Sequence, residues 1–100
     1  MAKTQINNRR NIGVDLQEPR KYNVVFHNDD VTPMGFVVDI LRRIFQKDPQ
    51  EAERLMLKVH HEGRAVVGTY SLDIAASKAS KAIHIAKDNN YPLNITVEPS

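Results

Sequence analysis

One hundred residues, 41% apolar and 26% charged, describe one small domain with a single modest core. The chain has no cysteine, which removes disulfide and thiolate chemistry, and no apolar run approaches the ~18 residues of a membrane span. The formal net charge of +2 sits in the tail, where Lys3, Arg9, Arg10, Arg20 and Lys21 outnumber Asp15 and Glu18. The remainder is close to neutral and offers no broad basic face for nucleic acid.

Residues 1–19 show no hydrophobic period and are rich in Asn, Gln and Arg. They read as a flexible N-terminal extension to a domain at 20–100, because they cannot bury enough apolar area to offset ordering entropy. Tyr22 to His27 reads as a strand, with Tyr22, Val24 and Phe26 on one face. Asn28 to Val31 is a connector of turn-forming residues. Thr32-Pro33 then starts a helix, with Thr32 as N-cap and proline at the first helical position. Met34, Val37, Val38, Leu41, Ile44 and Phe45 give it one apolar face as far as about Lys47.

Asp48-Pro49-Gln50-Glu51 starts a second helix with the pattern of a capping box. Its stripe is Ala52, Leu55, Met56 and Val59, and Gly63 is placed to end it in the left-handed region. The short join between the two helices predicts a hairpin. Arg64 to Tyr70 is a second strand, with Gly68 marking a bulge or a close backbone approach. Ser71 caps a third helix over 72–88, whose buried stripe is Ala75, Ala79, Ala82 and Ala86, with Ile83 beside it. Lys78, Lys81 and Lys87 read as its solvated face. Asn89-Asn90 ends it, and Pro92 to Glu98 alternates as a third strand. The expected fold is α+β: a small β-α-α-β-α-β sandwich, with a three-stranded antiparallel sheet packed against three helices.

No enzyme or metal motif is present. His60-His61 and Asp29-Asp30 match no ligand spacing, and adjacent helical residues point about 100° apart. The chain also lacks a nucleophile elbow and a glycine-rich phosphate loop. Recognition fits better. In an antiparallel hairpin the end of the second helix returns to the start of the first. His60 then approaches Asn28, Asp29 and Asp30, beside Met34, Val37, Met56 and Val59. Acceptors beside an adaptable apolar cavity suit an ammonium next to a bulky apolar group, the form of a free peptide N-terminus. Each residue also has a plainer role. The aspartates can serve the helix N-terminus, and the apolar four can be core.

The run Asn28-Asp29-Asp30-x-Thr32-Pro33-Met34, then Phe36-Val37, then Leu55-Met56-Leu57-x-Val59-His60-x-x-Gly63, resembles the ClpS family. The likeness continues through Gly68 and Lys78 to Tyr91-Pro92-Leu93, covering about residues 20–98. ClpS proteins are adaptors, not enzymes, of the bacterial N-end rule (N-degron) pathway. The resemblance implies binding of proteins whose first residue is Phe, Leu, Tyr or Trp, and their delivery to the AAA+ unfoldase of the Clp protease, ClpA-type. By position, Asn28, Asp29 and His60 would hold the α-amino group. Asp30, Thr32, Met34, Val37, Met56, Val59 and Leu93 would shape the side-chain pocket, with Met34 as a gate against β-branched residues. The extension would engage the unfoldase, and Asp73 and Lys78 would meet its N-domain. No cofactor, metal, nucleic acid or membrane partner is implied, and the expected state is a cytoplasmic monomer. The second reading is a ClpS-like interaction module without N-terminal-residue recognition. His27 and Gly35 depart from the family pattern, and Gly35 lies beside the gate.

Overall fold

The computed structural model describes residues 20–100; the expected extension at 1–19 lies outside the described residues. The elements are β1 (Tyr22–His27), α1 (Met34–Arg43), α2 (Pro49–Glu62), β2 (Arg64–Tyr70), α3 (Leu72–Asp88) and β3 (Asn94–Pro99). The first strand becomes the middle one. The sheet order is β2-β1-β3, and both ladders are antiparallel. This is the expected β-α-α-β-α-β sandwich.

Alternation explains most of the core. Val24 and Phe26 are fully buried and join Val37, Leu41, Leu55, Val59, Ala65 and Val67 in one cluster. Phe26 meets Phe45 edge to face with centroids 5.4 Å apart, a favoured aromatic geometry. Val25 is also fully buried but lies outside that cluster. As a middle-strand residue it pairs with Val66 on one side and Thr96 on the other. A polar chain crosses the three strands: Arg64 to Glu98 (2.7 Å), Thr96 to Glu98 (2.9 Å) and His27 to Thr96 (2.8 Å).

Gly68 marks the bulge expected there, and the close approach to it is by a side chain, not by backbone. Val24 pairs with Gly68 but Val25 with Val66, so Val67 is the extra residue of a bulge. A Cβ at position 68 would overlap the Tyr70 ring. The alanine stripe of α3 is buried as expected, and the helix contacts all three strands. Small side chains let it lie close on the sheet. Asn90 ends it with φ 62°.

Caps depart from the sequence expectation in three places. Thr32 is not the N-cap of α1. Pro33 occupies that position, and the Thr32 hydroxyl donates instead to Asp29 (2.9 Å). Asp48 caps α2 as expected by accepting from the Glu51 N–H at 2.8 Å, but Glu51 does not reach back to complete the box. Its carboxylate is taken by Arg54 in a two-pronged pair of 2.7 and 2.6 Å. Ser71 occupies the N-cap of α3 and uses its carbonyl, not its hydroxyl. The first helix also ends early, at Arg43, with Gln46 in the left-handed region at φ 52°. Ile44 and Phe45 remain buried beyond it. The pairing of β3 starts at Asn94, opposite His27 at the end of β1, and not at Pro92 as expected.

Candidate functional site

The site forms where three chain segments end together. The Asn28 N–H donates to the Gly63 carbonyl at 2.9 Å, pinning the exit of β1 to the end of α2. Gly63 makes this possible by adopting φ 88°, a region costly for other residues. His60 stands in the last turn of α2, beside this junction. Expected acceptors and imidazole are therefore brought to one place where this bond extends the β1–β2 ladder.

Asp29 folds the following loop around itself. One carboxylate oxygen accepts the Val31 N–H (2.8 Å) and the Thr32 N–H (2.7 Å). The other accepts the Thr32 hydroxyl at 2.9 Å. Burial pushes the Asp29 carboxyl up, but these three bonds together hold it below its ordinary value. A carboxylate has about four lone-pair sites, so one remains open after these three bonds. Asp29 thus spends most of its capacity on shape and keeps a full negative charge for the site.

The loop delivers the chain to Pro33, whose carbonyl accepts the Phe36 and Val37 N–H groups and launches α1. This aims Met34 at the mouth of a cavity, where it is 44% exposed. Val37 from α1 and Met56 and Val59 from α2 form the apolar wall, all largely buried. Asn28, Asp29, Asp30, Thr32 and His60 form the polar side. The cavity measures about 230 Å³. A dry cavity of ~150 Å³ holds a benzene ring, so an aromatic or leucine side chain fits. All nine residues lining it were expected at the site from the sequence. Leu93, the tenth, is buried in the same core cluster as Val37, Met56 and Val59 but does not line the cavity.

Asp73 is exposed in the first turn of α3. Lys78 is half-buried and not the solvated side chain expected. Its ammonium donates to the Ile44 carbonyl and to Gln46 Oε1, both at 2.8 Å. The acceptors lie 34 and 32 positions away in sequence, so no local signal marked this. No group of three metal-ligating side chains occurs among the described residues, and no helix there is long and apolar enough to cross a membrane.

The family described as "ATP-dependent Clp protease adaptor protein ClpS" matches residues 17–96. The chain is similar to the ATP-dependent Clp protease adapter protein ClpS of Vibrio atlanticus, 49% identical over 83% of this chain and 78% of the relative. The protein of the same name from Treponema denticola is 52% identical over 81% of this chain and 80% of the relative. Among solved structures, Agrobacterium tumefaciens ClpS2 bound to L-phenylalaninamide is similar with a TM-score of 0.81 and 37% identity. That match covers 83% of this chain and 100% of the other.

Proposed function

This chain belongs to the ClpS family of Clp protease adaptors, and from that membership we propose that it binds the free N-terminus of proteins beginning with Phe, Leu, Tyr or Trp. The observation that carries the reading is the junction of ammonium acceptors with a side-chain-sized apolar cavity. Asn28, Asp29 and His60 hold the α-amino group. Met34, Val37, Met56 and Val59 receive the first side chain, while Asp30 and Thr32 shape the pocket rim. Leu93 supports the apolar wall from the core. L-phenylalaninamide, the ligand of the similar Agrobacterium tumefaciens structure, presents the same two features: a free amine and a benzyl group.

Binding then works by complementarity without bond-making. Ionised Asp29 attracts the ammonium, and acceptors left unpaired in a half-buried site carry a desolvation penalty. The bound protein is passed to the N-domain of a ClpA-type AAA+ unfoldase, with Asp73 and Lys78 at that contact and the segment before residue 20 assisting delivery. The adaptor works as a monomer, without cofactor, in the cytoplasm beside the protease.

A peptide series differing only at residue one tests this. Phe-initiated peptide should bind at least ~100-fold more tightly than its acetylated form, because acetylation removes the charge and donors worth about 1.5–3 kcal/mol in a charged hydrogen bond. An Ala-initiated peptide should bind as weakly, for want of apolar contact. Equal affinity for all three peptides would falsify the proposal.

A further inference from the structure

Lys78 is the side chain whose surroundings the recognition site does not account for. It rises from the middle of α3, yet its ammonium reaches the join between α1 and α2. There it donates to the carbonyl of Ile44, the C-cap of α1, and to the side chain of Gln46. Two aromatic rings frame it, with Phe45 and Tyr70 centroids 5.9 and 5.5 Å from the nitrogen. Both acceptors are neutral, and no carboxylate pairs with it among the described residues. Gln46 is itself unusual, with a left-handed backbone at φ 52°, a conformation that residues with a Cβ seldom adopt. Directly after it, the Lys47 N–H donates to the Leu41 carbonyl at 3.1 Å and closes the turn.

We propose that Lys78 is a positioning residue for the peptide pocket, acting as a clasp that holds the α1–α2 turn in its strained form. The inference rests on the recognition reading above, because it assigns a role in that site. The turn is the closed end of the hairpin, and the pocket lies at its open end. α1 has ten residues, about 15 Å at 1.5 Å per residue. A pivot of ~5° at the turn therefore moves Met34 by more than ~1 Å, enough to alter the mouth. A partner that draws the Lys78 ammonium away with a carboxylate must open the clasp, so contact on α3 is felt at the gate.

The test uses the full chain with Lys78→Met, which keeps the stem and removes the donors. The Lys47 amide should exchange about tenfold faster without any ligand, reflecting local opening of the turn. Phe-initiated peptide should bind about threefold more weakly, and the ratio of Phe to Leu affinities should change, which a uniform loss of stability would not produce. In a Gln46→Gly background the left-handed turn needs no clasp, so Lys78→Met should leave exchange nearly unchanged. That background also keeps the measurement readable if the single variant folds poorly. Unaltered Lys47 exchange in the single variant, equal acceleration in both backgrounds, or an unchanged Phe-to-Leu ratio would each overturn the proposal. A wild-type chain that ignores Phe-initiated peptides would defeat the recognition reading instead, and the exchange measurement would still decide the clasp.

Discussion

Replacing Asp29 by alanine should weaken binding of a Phe-initiated peptide by about 100-fold, the larger part from one charged interaction worth ~1.5–3 kcal/mol. The rest comes from the loop. Without the carboxylate, the Val31 and Thr32 amides and the Thr32 hydroxyl lose their shared acceptor, and the path to Met34 loosens. Asp29→Asn separates the two effects. Its amide oxygen can still accept both N–H groups, and its NH₂ can donate to the Thr32 hydroxyl, so the shape survives while the charge is gone. The Asn variant should therefore lose about 30-fold, the larger part of the effect but less than the Ala variant. Isothermal titration of the three proteins with one peptide decides it, and three equal affinities would remove Asp29 from the site.

The same pair of variants carries a pH signature. The folded-state value of Asp29 is depressed, so its contribution to stability is present above the ordinary carboxylate range. It is lost as pH falls through the lowered value. The Tm advantage of wild type over Asp29→Asn should thus hold at neutral pH and shrink as pH drops below about 4. An advantage that grows in acid would contradict the hydrogen-bond account of this loop.

Met34→Ala should admit Ile-initiated peptides, raising their affinity about tenfold or more, the scale on which apolar pockets discriminate single methylene groups. A β-branched first residue carries its extra carbon next to the backbone, at the pocket mouth. Met34 stands there, as the first residue of α1, with nearly half its surface in solvent. Phe-initiated peptide should lose only a few-fold, because Val37, Met56 and Val59 still enclose its ring. Gly35 makes the first turn of α1, which carries Met34, easier to move. A Cβ at that position would meet nothing within 4 Å, so packing does not require glycine. Its presence weakens the first helical turn by roughly 0.5–1 kcal/mol relative to alanine. Fluorescence anisotropy with Phe-, Leu- and Ile-initiated peptides gives the ratios, and an unchanged Ile affinity would rule out Met34 as the gate.

The elements and most of the cavity were legible because their signals are local. Val24 and Phe26 alternate, the α3 alanines recur at helical spacing, and Asp48-Pro49 marks a helix start on its own. What was not legible depends on partners distant in space or in competition. Thr32 has the right chemistry for an N-cap, but Asp29 offers its hydroxyl a charged acceptor and wins. Glu51 fits a capping box until Arg54 gives it a two-pronged guanidinium. Val25 sits on the polar phase of its strand and is buried only because β1 is flanked on both sides. Lys78 has a stem long enough to leave a solvated face, and no spacing rule points it to a carbonyl on another helix. Leu93 lies next to the strand end that the period identifies, but the period does not distinguish a wall from the packing behind it.

The central position of β1 has a kinetic consequence. Its nearest ladder contact, His27 with Arg64, already bridges the whole helical hairpin, and its contacts with β3 span almost the entire domain. No two strands that are neighbours only in sequence can zip together first. Loop closure must precede any sheet, which favours millisecond-to-second folding over the microsecond regime of helical bundles. During synthesis the first strand emerges long before its second partner exists. While the chain is being made, Val24, Val25 and Phe26 therefore stay uncovered until the helical hairpin and β2 follow, and their second ladder waits for β3.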